Sequence, residues 1–160
     1  MSQATLCFVI QAGRVLLIRK KRGIGAGKIN GPGGKVEPGE TMLESAVRET
    51  REEIGIIPLD PVLHGELMFD FTGRGMLHCG VFRATQFEGE PVETDEAIPL
   101  WFPVEAMPFD EMWEDDRVWF PLLLKGKCFR GGARVEPGEK VHDIQVEEIS
   151  AADLAESCPA

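Results

Sequence analysis

Residues Gly34 to Ile56 read GKVEPGETMLESAVRETREEIGI, and this stretch decides which fold and chemistry the chain is expected to have. From Met42–Ile54, mostly apolar residues recur at steps of three and four, which predicts an amphipathic helix with one buried face. The residues of that predicted face are Leu43, Ala46, Val47, Thr50 and Ile54. Gly55 follows where a helix commonly ends in the left-handed conformation.

Three glutamates of the predicted helix, Glu49, Glu52 and Glu53, are spaced so that their side chains gather within one turn. Glu49 and Glu53 form a like-charged pair, which by itself destabilises a helix by roughly 0.2–0.5 kcal/mol. A divalent cation removes this repulsion, and a set of oxygen ligands suits Mg²⁺ or Mn²⁺. Arg48 lies four residues from both Glu52 and Glu44, and we expect it to hold a carboxylate in a bidentate orientation.

The glycine-rich segment before the helix, Gly31-Pro32-Gly33-Gly34, lets the backbone approach a ligand closely. A backbone carbonyl there could join a metal site. The structural alternative for three nearby glutamates is a surface helix with a solvated acidic face. The glycines, with Glu40 and Arg48 at fixed distances from them, favour the metal-binding interpretation.

The whole chain of 160 residues fits one domain over residues 1–150, followed by a C-terminal tail at 151–160. Its net charge of −10 argues against binding a nucleic-acid polymer, because phosphate backbones are bound mainly by Lys and Arg. A nucleotide substrate stays compatible with that charge, since a bound metal and a local basic cluster can neutralise polyphosphate. The start lacks a signal sequence, and no apolar run approaches the roughly 18 residues of a membrane span. We therefore expect a cytoplasmic monomer without a membrane partner.

Apolar periodicity and turn residues predict three strand pairs, one short strand and a second helix. The strands are expected at residues 5–10, 14–18, 62–71, 76–84, 99–102, 128–135 and 140–147, and the helix at 115–125. Strands and helices mix without a βαβ rhythm, which points to an α+β fold. The sequence VEPGE of residues 36–40 recurs at 135–139 without the downstream glutamates, so this second copy is predicted to be a hairpin turn.

The opening stretch resembles the Nudix box, G-x5-E-x7-R-E-U-x-E-E-x-G-U, where U is a large apolar residue. All seven fixed letters match, and Thr50 departs from one apolar position. Residues 20–31 and 112–124, with Trp101-Phe102, are similar to the oxidised purine nucleoside triphosphate hydrolases of the Nudix superfamily. This resemblance implies a Nudix fold, in which a mixed β-sheet is sandwiched between α-helices. It also implies hydrolysis of modified purine triphosphates, of the 8-oxo-dGTP and 2-oxo-dATP type, to monophosphate and pyrophosphate with Mg²⁺ or Mn²⁺.

The same resemblance implies which residues form the site. The metal site falls on the Gly33 carbonyl and on four carboxylates, Glu49, Glu52, Glu53 and Glu96. The catalytic set is Glu53, Glu52, Glu49 and Arg48, and which glutamate takes the proton stays open. The base pocket falls on Thr5, Asn30, Phe69, Trp113, Asp115 and Asp116, with Lys20 near the phosphates.

Elementary chemistry supports this pocket. A guanine edge offers both donors and an acceptor, whereas an ionised aspartate only accepts, so Asp115, Asp116 and Asn30 together satisfy both kinds of group. Repulsion between the two aspartates should raise the pKa of one of them, whose proton is then available to the base. Trp113 offers a stacking surface worth about 1–3 kcal/mol per base. The alternatives are that Trp113 is a core residue and that the aspartates cap the following helix.

Two positions depart from the family, because Ile24 and Ile29 stand where its best-known members have aromatic residues. A thinner aromatic wall of the base pocket is therefore expected.

Two rival functions stay open. One is a Nudix hydrolase of another nucleoside diphosphate derivative, such as ADP-ribose or a dinucleoside polyphosphate, and the other is a non-catalytic nucleotide-binding module.

Overall fold

A mixed β-sheet runs through the middle of the protein, and the computed structural model describes all residues from 1 to 160. The strands are β1 Ser2–Gln11, β2 Arg14–Lys20, β3 Ile29–Asn30, β4 Gly33–Lys35, β5 Ile57–Leu59, β6 Val62–Phe71, β7 Gly75–Ala84, β8 Gln86–Glu88, β9 Ala97–Pro103, β10 Cys128–Glu136 and β11 Lys140–Ile149. The helices are α1 Met42–Ile54, α2 Asp116–Leu124 and α3 Ala151–Ser157, with a short 3₁₀ turn at Phe109–Glu111.

The nine-stranded sheet has the order β11-β10-β6-β7-β1-β2-β3, with β4 also paired to β1 and β9 to β2. Strands β5 and β8 form a separate small ribbon. The β1–β7 and β6–β10 pairs are parallel and all others are antiparallel. The α+β class and the mixed sheet predicted from the sequence are therefore confirmed.

Helix α1 has strong local signals at both ends. Thr41 accepts the N–H of Glu44 and the Glu44 side chain accepts the N–H of Thr41, which forms a capping box. Gly55 closes the helix at φ 77°, a left-handed conformation that favours glycine. The helix therefore spans the predicted residues 42–54.

The buried face of α1 is rotated from the predicted one. Leu43 is exposed and Val47 half-buried, whereas Met42 and Ser45 face the sheet. Thr50 is fully buried, and its hydroxyl donates to the Ala46 carbonyl oxygen at 2.7 Å, which satisfies the polar group inside the helix. The rotation depends on packing against the sheet, which the apolar pattern of the helix does not encode.

Alternate residues of β1 face opposite layers. Phe8 and Ile10 join the core beneath α2, where the Phe8 ring meets Trp119 edge-on at a centroid distance of 5.8 Å. Cys7 and Val9 lie in the clusters on the α1 side. Helices cover both faces of the sheet, as the fold prediction required.

The segment expected to form a C-terminal tail, residues 151–160, instead folds into α3 and packs onto the sheet. Ser150 caps this helix by accepting the N–H of Asp153 at 3.0 Å. Leu154 and Cys158 lie one turn apart and are both buried in the cluster that contains Met42. This helix was not predicted, because Leu154 within it and Cys158 just after it give only a weak periodic signal. None of the three helices combines the length and apolar character needed to cross a bilayer.

Truncation of Leu154 tests whether α3 is part of the core. We expect Leu154→Ala to lower the free energy of unfolding by about 2–5 kcal/mol, because it leaves a cavity in a buried cluster. The matched control Leu43→Ala removes the same atoms from an exposed site and should change the stability by no more than about 0.5 kcal/mol. Urea denaturation measures both, and equal small effects would show that α3 is only loosely attached.

Candidate active site

The predicted carboxylate cluster forms where the last turns of α1 meet β4. Glu53 is buried, and its Oε1 accepts the backbone N–H of Gly33 at 2.7 Å. A Cβ on Gly33 would overlap the Thr5 carbonyl oxygen, and one on Gly34 would overlap the Glu49 carboxylate. The two glycines therefore let strand and helix approach closely enough to bring these carboxylates together.

Glu96 joins the cluster through a turn that precedes β9. The Thr94 hydroxyl donates to the Glu53 carbonyl oxygen at 2.6 Å and accepts the Glu96 N–H at 3.2 Å. The charge of Glu96 acts on both Glu49 and Glu53. Thr94 thus brings Glu96 close enough to influence the glutamates of α1, although it is more than forty residues from the helix.

Burial controls the protonation of this cluster. The pKa of Glu53 is raised to about 8, mainly by burial and also by the charges of Glu49 and Glu96, against the opposing effects of the Gly33 N–H and Lys20. Burial likewise raises the pKa of Glu49, with Arg48 opposing it. The side chain of Glu53 has no cationic partner within hydrogen-bonding distance. Converging carboxylates with little compensating charge fit a hard divalent cation.

Arg48 orients the outer part of the cluster. Its Nε and Nη2 donate to the two carboxylate oxygens of Glu40 at 2.6 and 2.9 Å, and its Nη1 donates to Glu49 and Glu52 at 2.8 and 3.2 Å. The bidentate contact is made to Glu40; of the two glutamates at helical spacing from Arg48, Glu52 accepts from Nη1 and Glu44 is engaged in the capping box. The guanidinium lowers the pKa of Glu40 to about 2. Arg48 thereby ties the segment before the helix to two carboxylates of the cluster.

A cavity of about 220 Å³ opens beside the carboxylates and extends between the sheet and α2. All seven residues expected to bind substrate line it, together with Glu53 and Gly33. Those seven are Thr5, Lys20, Asn30, Phe69, Trp113, Asp115 and Asp116. One cavity thus joins the carboxylate cluster to the predicted base pocket.

The polar wall of the cavity consists of two buried aspartates at the start of α2. Asp115 accepts the indole N–H of Trp119 at 2.9 Å, and Asp116 accepts the backbone N–H of Trp113 at 3.1 Å. Asp115 occupies the N-cap position without a capping side-chain bond, so helix capping does not account for it. Burial raises both pKa values, and the charge of Asp115 raises that of Asp116 further. Burial and mutual proximity therefore favour a proton on one carboxyl of the pair.

Trp113 closes the cavity against the loop of residues 23–28. The Lys28 ammonium lies 5.2 Å from the centre of a Trp113 ring, and a Cβ on Gly25 would come within 3.0 Å of the indole. Glu139 accepts the Gly25 N–H at 2.7 Å. The second VEPGE copy forms the predicted turn between β10 and β11, and it also holds this loop, a role that its sequence did not indicate.

Three details of the predicted pocket differ. Ile29 is fully buried in the core and does not line the cavity, because Asn30 takes the cavity-facing position of the two-residue β3. Of the two isoleucines, only Ile24 lines the cavity and can affect its wall.

Thr5 lines the cavity, but its hydroxyl lies 3.4 Å from Ser45 Oγ and so faces α1. Sequence reasoning missed further lining residues, some of which strand alternation with Phe69 could have found. They are Leu6, Phe71, Leu77, Cys79, Trp119 and Val135.

A larger cleft than this cavity lies elsewhere on the protein. An open cleft of about 670 Å³ lies over β6, β10 and β11 and contains none of the predicted site residues. Its charged side chains include Arg134, which pairs with Asp70 at 3.6 Å and Asp143 at 3.9 Å. The smaller cavity is the better candidate because three buried carboxyl groups, those of Glu53, Asp115 and Asp116, line it.

Carboxylates on a helix beside a cavity with buried acidic groups are typical of metal-dependent hydrolases, and comparison with known proteins gives the family. A model of the NUDIX domain matches residues 2–123. The chain is 45% identical over 148 residues to an oxidized purine nucleoside triphosphate hydrolase of Danio rerio, covering 91% of this chain and 94% of that protein. It is 41% identical over 150 residues to the Mus musculus protein of the same name, covering 92% and 95%.

A solved structure gives the same answer for the fold. The crystal structure of a mutator MutT protein from Bacillus halodurans superposes with a TM-score of 0.82 at 27% identity, covering 92% of this chain and 98% of that one. The chain therefore belongs to the NUDIX domain family and is a Nudix hydrolase. Nudix hydrolases generally use divalent metal ions, which agrees with the carboxylate cluster described above.

The raised pKa of Glu53 predicts how the stability of the metal-free protein depends on pH. The folded-state value of about 8 lies above the ordinary value of 4.5, so ionising Glu53 costs more in the folded state. The penalty is absent below the ordinary pKa and grows as the pH rises through the folded one. Glu53→Gln carries no charge and keeps an oxygen for Gly33. The melting temperature of Glu53→Gln should equal that of the wild type at about pH 4 and be clearly higher than that of the wild type at about pH 9.

Calorimetry in the presence of a chelator measures this difference. Glu52→Gln is the matched control, because the Glu52 side chain is 55% exposed, and its melting temperature should follow wild type at both pH values. A Glu53→Gln melting temperature that tracks wild type across the whole range would show that burial does not control this group.

Proposed function

We propose that this protein hydrolyses oxidised or otherwise modified purine nucleoside triphosphates, of the 8-oxo-dGTP and 2-oxo-dATP type, to the monophosphate and pyrophosphate. The observation that carries the proposal is that Glu53, Asp115 and Asp116 line one cavity. The names of the Danio rerio and Mus musculus relatives support it. One chain supplies every residue of this cavity, so the proposal needs no second subunit.

The aspartate pair suits a purine whose edge has been altered. With one proton shared by Asp115 and Asp116, the pair presents a hydroxyl donor and a carboxylate acceptor side by side. Oxidation of guanine at C8 turns N7 from an acceptor into an N–H donor, and oxidation of adenine at C2 adds a carbonyl acceptor. A proton that moves between the two carboxyls allows one pocket to pair with either pattern. Trp113 supplies a ring on which the base stacks.

The site residues are proposed to divide the chemistry of the phosphates between them. The groups that would hold Mg²⁺, or Mn²⁺ in its place, are the Gly33 carbonyl and the carboxylates Glu49, Glu52, Glu53 and Glu96. When bound, the cation polarises phosphoryl oxygens and neutralises charge on the leaving pyrophosphate. Lys20 also lines the cavity and lies close enough to Glu53 to lower its pKa, which places a positive charge where phosphate oxygens would lie.

Glu53 is proposed as the essential carboxylate, accepting a proton from the water that attacks phosphorus. It is the most buried member of the cluster, and the Gly33 N–H fixes one of its oxygens. Glu49 and Glu52 are held by Arg48 and stay eligible for the same proton, as does Glu96. Arg48 acts as a positioning residue, because its guanidinium bridges these carboxylates to Glu40.

A substrate panel tests the proposed function. We expect pyrophosphate release, in the presence of Mg²⁺, to be at least about tenfold faster in kcat/KM for 8-oxo-dGTP or 2-oxo-dATP than for dGTP. Methylated purine triphosphates and ADP-ribose complete the panel. Asp116→Ala should lose most of the preference between oxidised and normal purines while still cleaving triphosphates. A preference for ADP-ribose would overturn the substrate assignment, and no turnover of any nucleotide would favour a binding module.

Replacement of Glu53 by Gln tests its proposed role as base. The amide cannot accept the proton, so kcat for the best substrate should fall by at least about 10²-fold. Glu44→Gln is the matched control on the same helix, because glutamine preserves the capping box, and it should keep near-normal turnover. Near-normal turnover of Glu53→Gln would move the role to Glu52, Glu49 or Glu96.

A further inference from the structure

A second cluster of potential metal ligands lies outside the active-site cavity. Glu66 comes from β6, His78 from β7 and Cys158 from the residue after α3, and one ligand atom of each lies within 4.8 Å of the others. In the antiparallel β6–β7 pair, Glu66 is opposite Gly80, so His78 is its diagonal neighbour on the same face. The neighbouring Cys79 points the other way and lines the base cavity. The cluster therefore lies on the side of the sheet that α1 and α3 cover.

His78 carries an unpartnered polar atom. Its Nε2 is closed to solvent and makes no hydrogen bond, although the Glu66 Oε1 lies 3.4 Å away. Buried polar atoms are nearly always paired, so a nitrogen in this position requires an explanation. An ion pair with Glu66 is the simplest one, but the geometry does not form a hydrogen bond.

The other two members are already oriented toward His78. The Ser157 hydroxyl donates to Glu66 Oε2 at 2.7 Å and accepts from Arg130 Nη2 at 2.7 Å, which fixes the carboxylate and leaves Oε1 free. Cys158 is a free, buried thiol whose only hydrogen-bond partner is the Met42 sulfur at 3.7 Å. Supporting contacts of this kind hold ligands in place around protein metal sites.

We propose that Glu66, His78 and Cys158 form a structural zinc site that fastens α3 to the sheet. A thiolate, an imidazole and a carboxylate together suit Zn²⁺ rather than Mg²⁺, which prefers oxygen ligands alone. Zinc bonds of about 2.0–2.3 Å place tetrahedral ligand atoms roughly 3–4 Å apart, so the cluster needs only a small contraction. Binding displaces the proton of Cys158 to solvent, and a water molecule completes the four ligands.

This site is independent of the proposed hydrolysis, since none of its members lines the cavity. Its three ligands come from two adjacent strands and from the end of the chain. Zinc should therefore stabilise the attachment of α3 rather than take part in turnover.

Cobalt titration of the full-length protein tests the site directly. With Mg²⁺ in large excess to occupy the carboxylate cluster, equimolar Co²⁺ should give a thiolate charge-transfer band that added Zn²⁺ removes. Cys158→Ser and His78→Gln should each abolish the band or weaken metal binding at least about tenfold. Cys128→Ser is the matched control, because Cys128 is half-buried and lies outside the cluster. Circular dichroism and Mg²⁺-dependent hydrolysis establish that each variant is folded.

Thermal unfolding gives a second readout that does not depend on a spectrum. Equimolar Zn²⁺ should raise the melting temperature of the Mg²⁺-saturated wild type and of Cys128→Ser, but not that of His78→Gln. No band in the wild type, or a band that survives Cys158→Ser and disappears in Cys128→Ser, would overturn the proposal. Because hydrolysis serves only as a folding check, failure of the zinc site leaves the proposed function untouched, and the reverse also holds.

Discussion

The hydrogen bond from the Gly33 amide to the buried carboxylate of Glu53 is the contact on which the rest of the site depends. It joins β4 to the last turn of α1, and it requires that no side chain stand between them. Gly33 and Gly34 meet that requirement, since a Cβ on either would overlap its neighbour. The capping box at Thr41 and the left-handed Gly55 then fix where the helix begins and ends. The Gly33–Glu53 hydrogen bond and the caps at Thr41 and Gly55 thus position β4, α1 and the Glu53 carboxylate.

The protein buries acidic groups in three places and compensates each differently. Around Glu53 the geometry gathers carboxylates, which suits a cation. At Asp115 and Asp116 the compensation is a proton, because one carboxyl of a buried adjacent pair is more stable neutral. At Glu66 it is the Ser157 hydroxyl and the nearby His78. The first two clusters share a cavity. Compensation by a cation suits the part around Glu53 to a polyphosphate, and compensation by a proton suits the part around the aspartates to a base.

Features of the fold and site that depend on residues close together in the chain could be predicted from the sequence. Features that depend on contacts between distant residues could not. The bounds of α1 followed from its apolar spacing and from Gly55, and the placing of Glu49, Glu52 and Glu53 within one turn followed from helical spacing. The rotation of that helix did not, because only packing against the sheet selects Met42 over Leu43. For the same reason helical spacing offered Arg48 the neighbours Glu44 and Glu52, whereas its bidentate partner in the folded protein is Glu40, which precedes the helix.

The cavity likewise combines residues that the sequence identified with a contact that it could not reveal. Asp115, Asp116 and Trp113 were found because their order in the chain resembles a family, whereas the loop that closes on Trp113 is held by Glu139, 114 residues from its partner Gly25.

The acidic character of the chain does not conflict with a polyanionic substrate, because charge is distributed unevenly around the cavity. Lys20 and Lys35 line it, and Lys28 lies over the ring of Trp113 at its edge. The carboxylates add negative charge, and their charges raise the pKa of Glu53 and of Glu49. A triphosphate entering alone would be attracted by the lysines and repelled by the carboxylates. A divalent cation bound to the carboxylates would replace that repulsion by attraction, so metal and nucleotide should favour each other's binding.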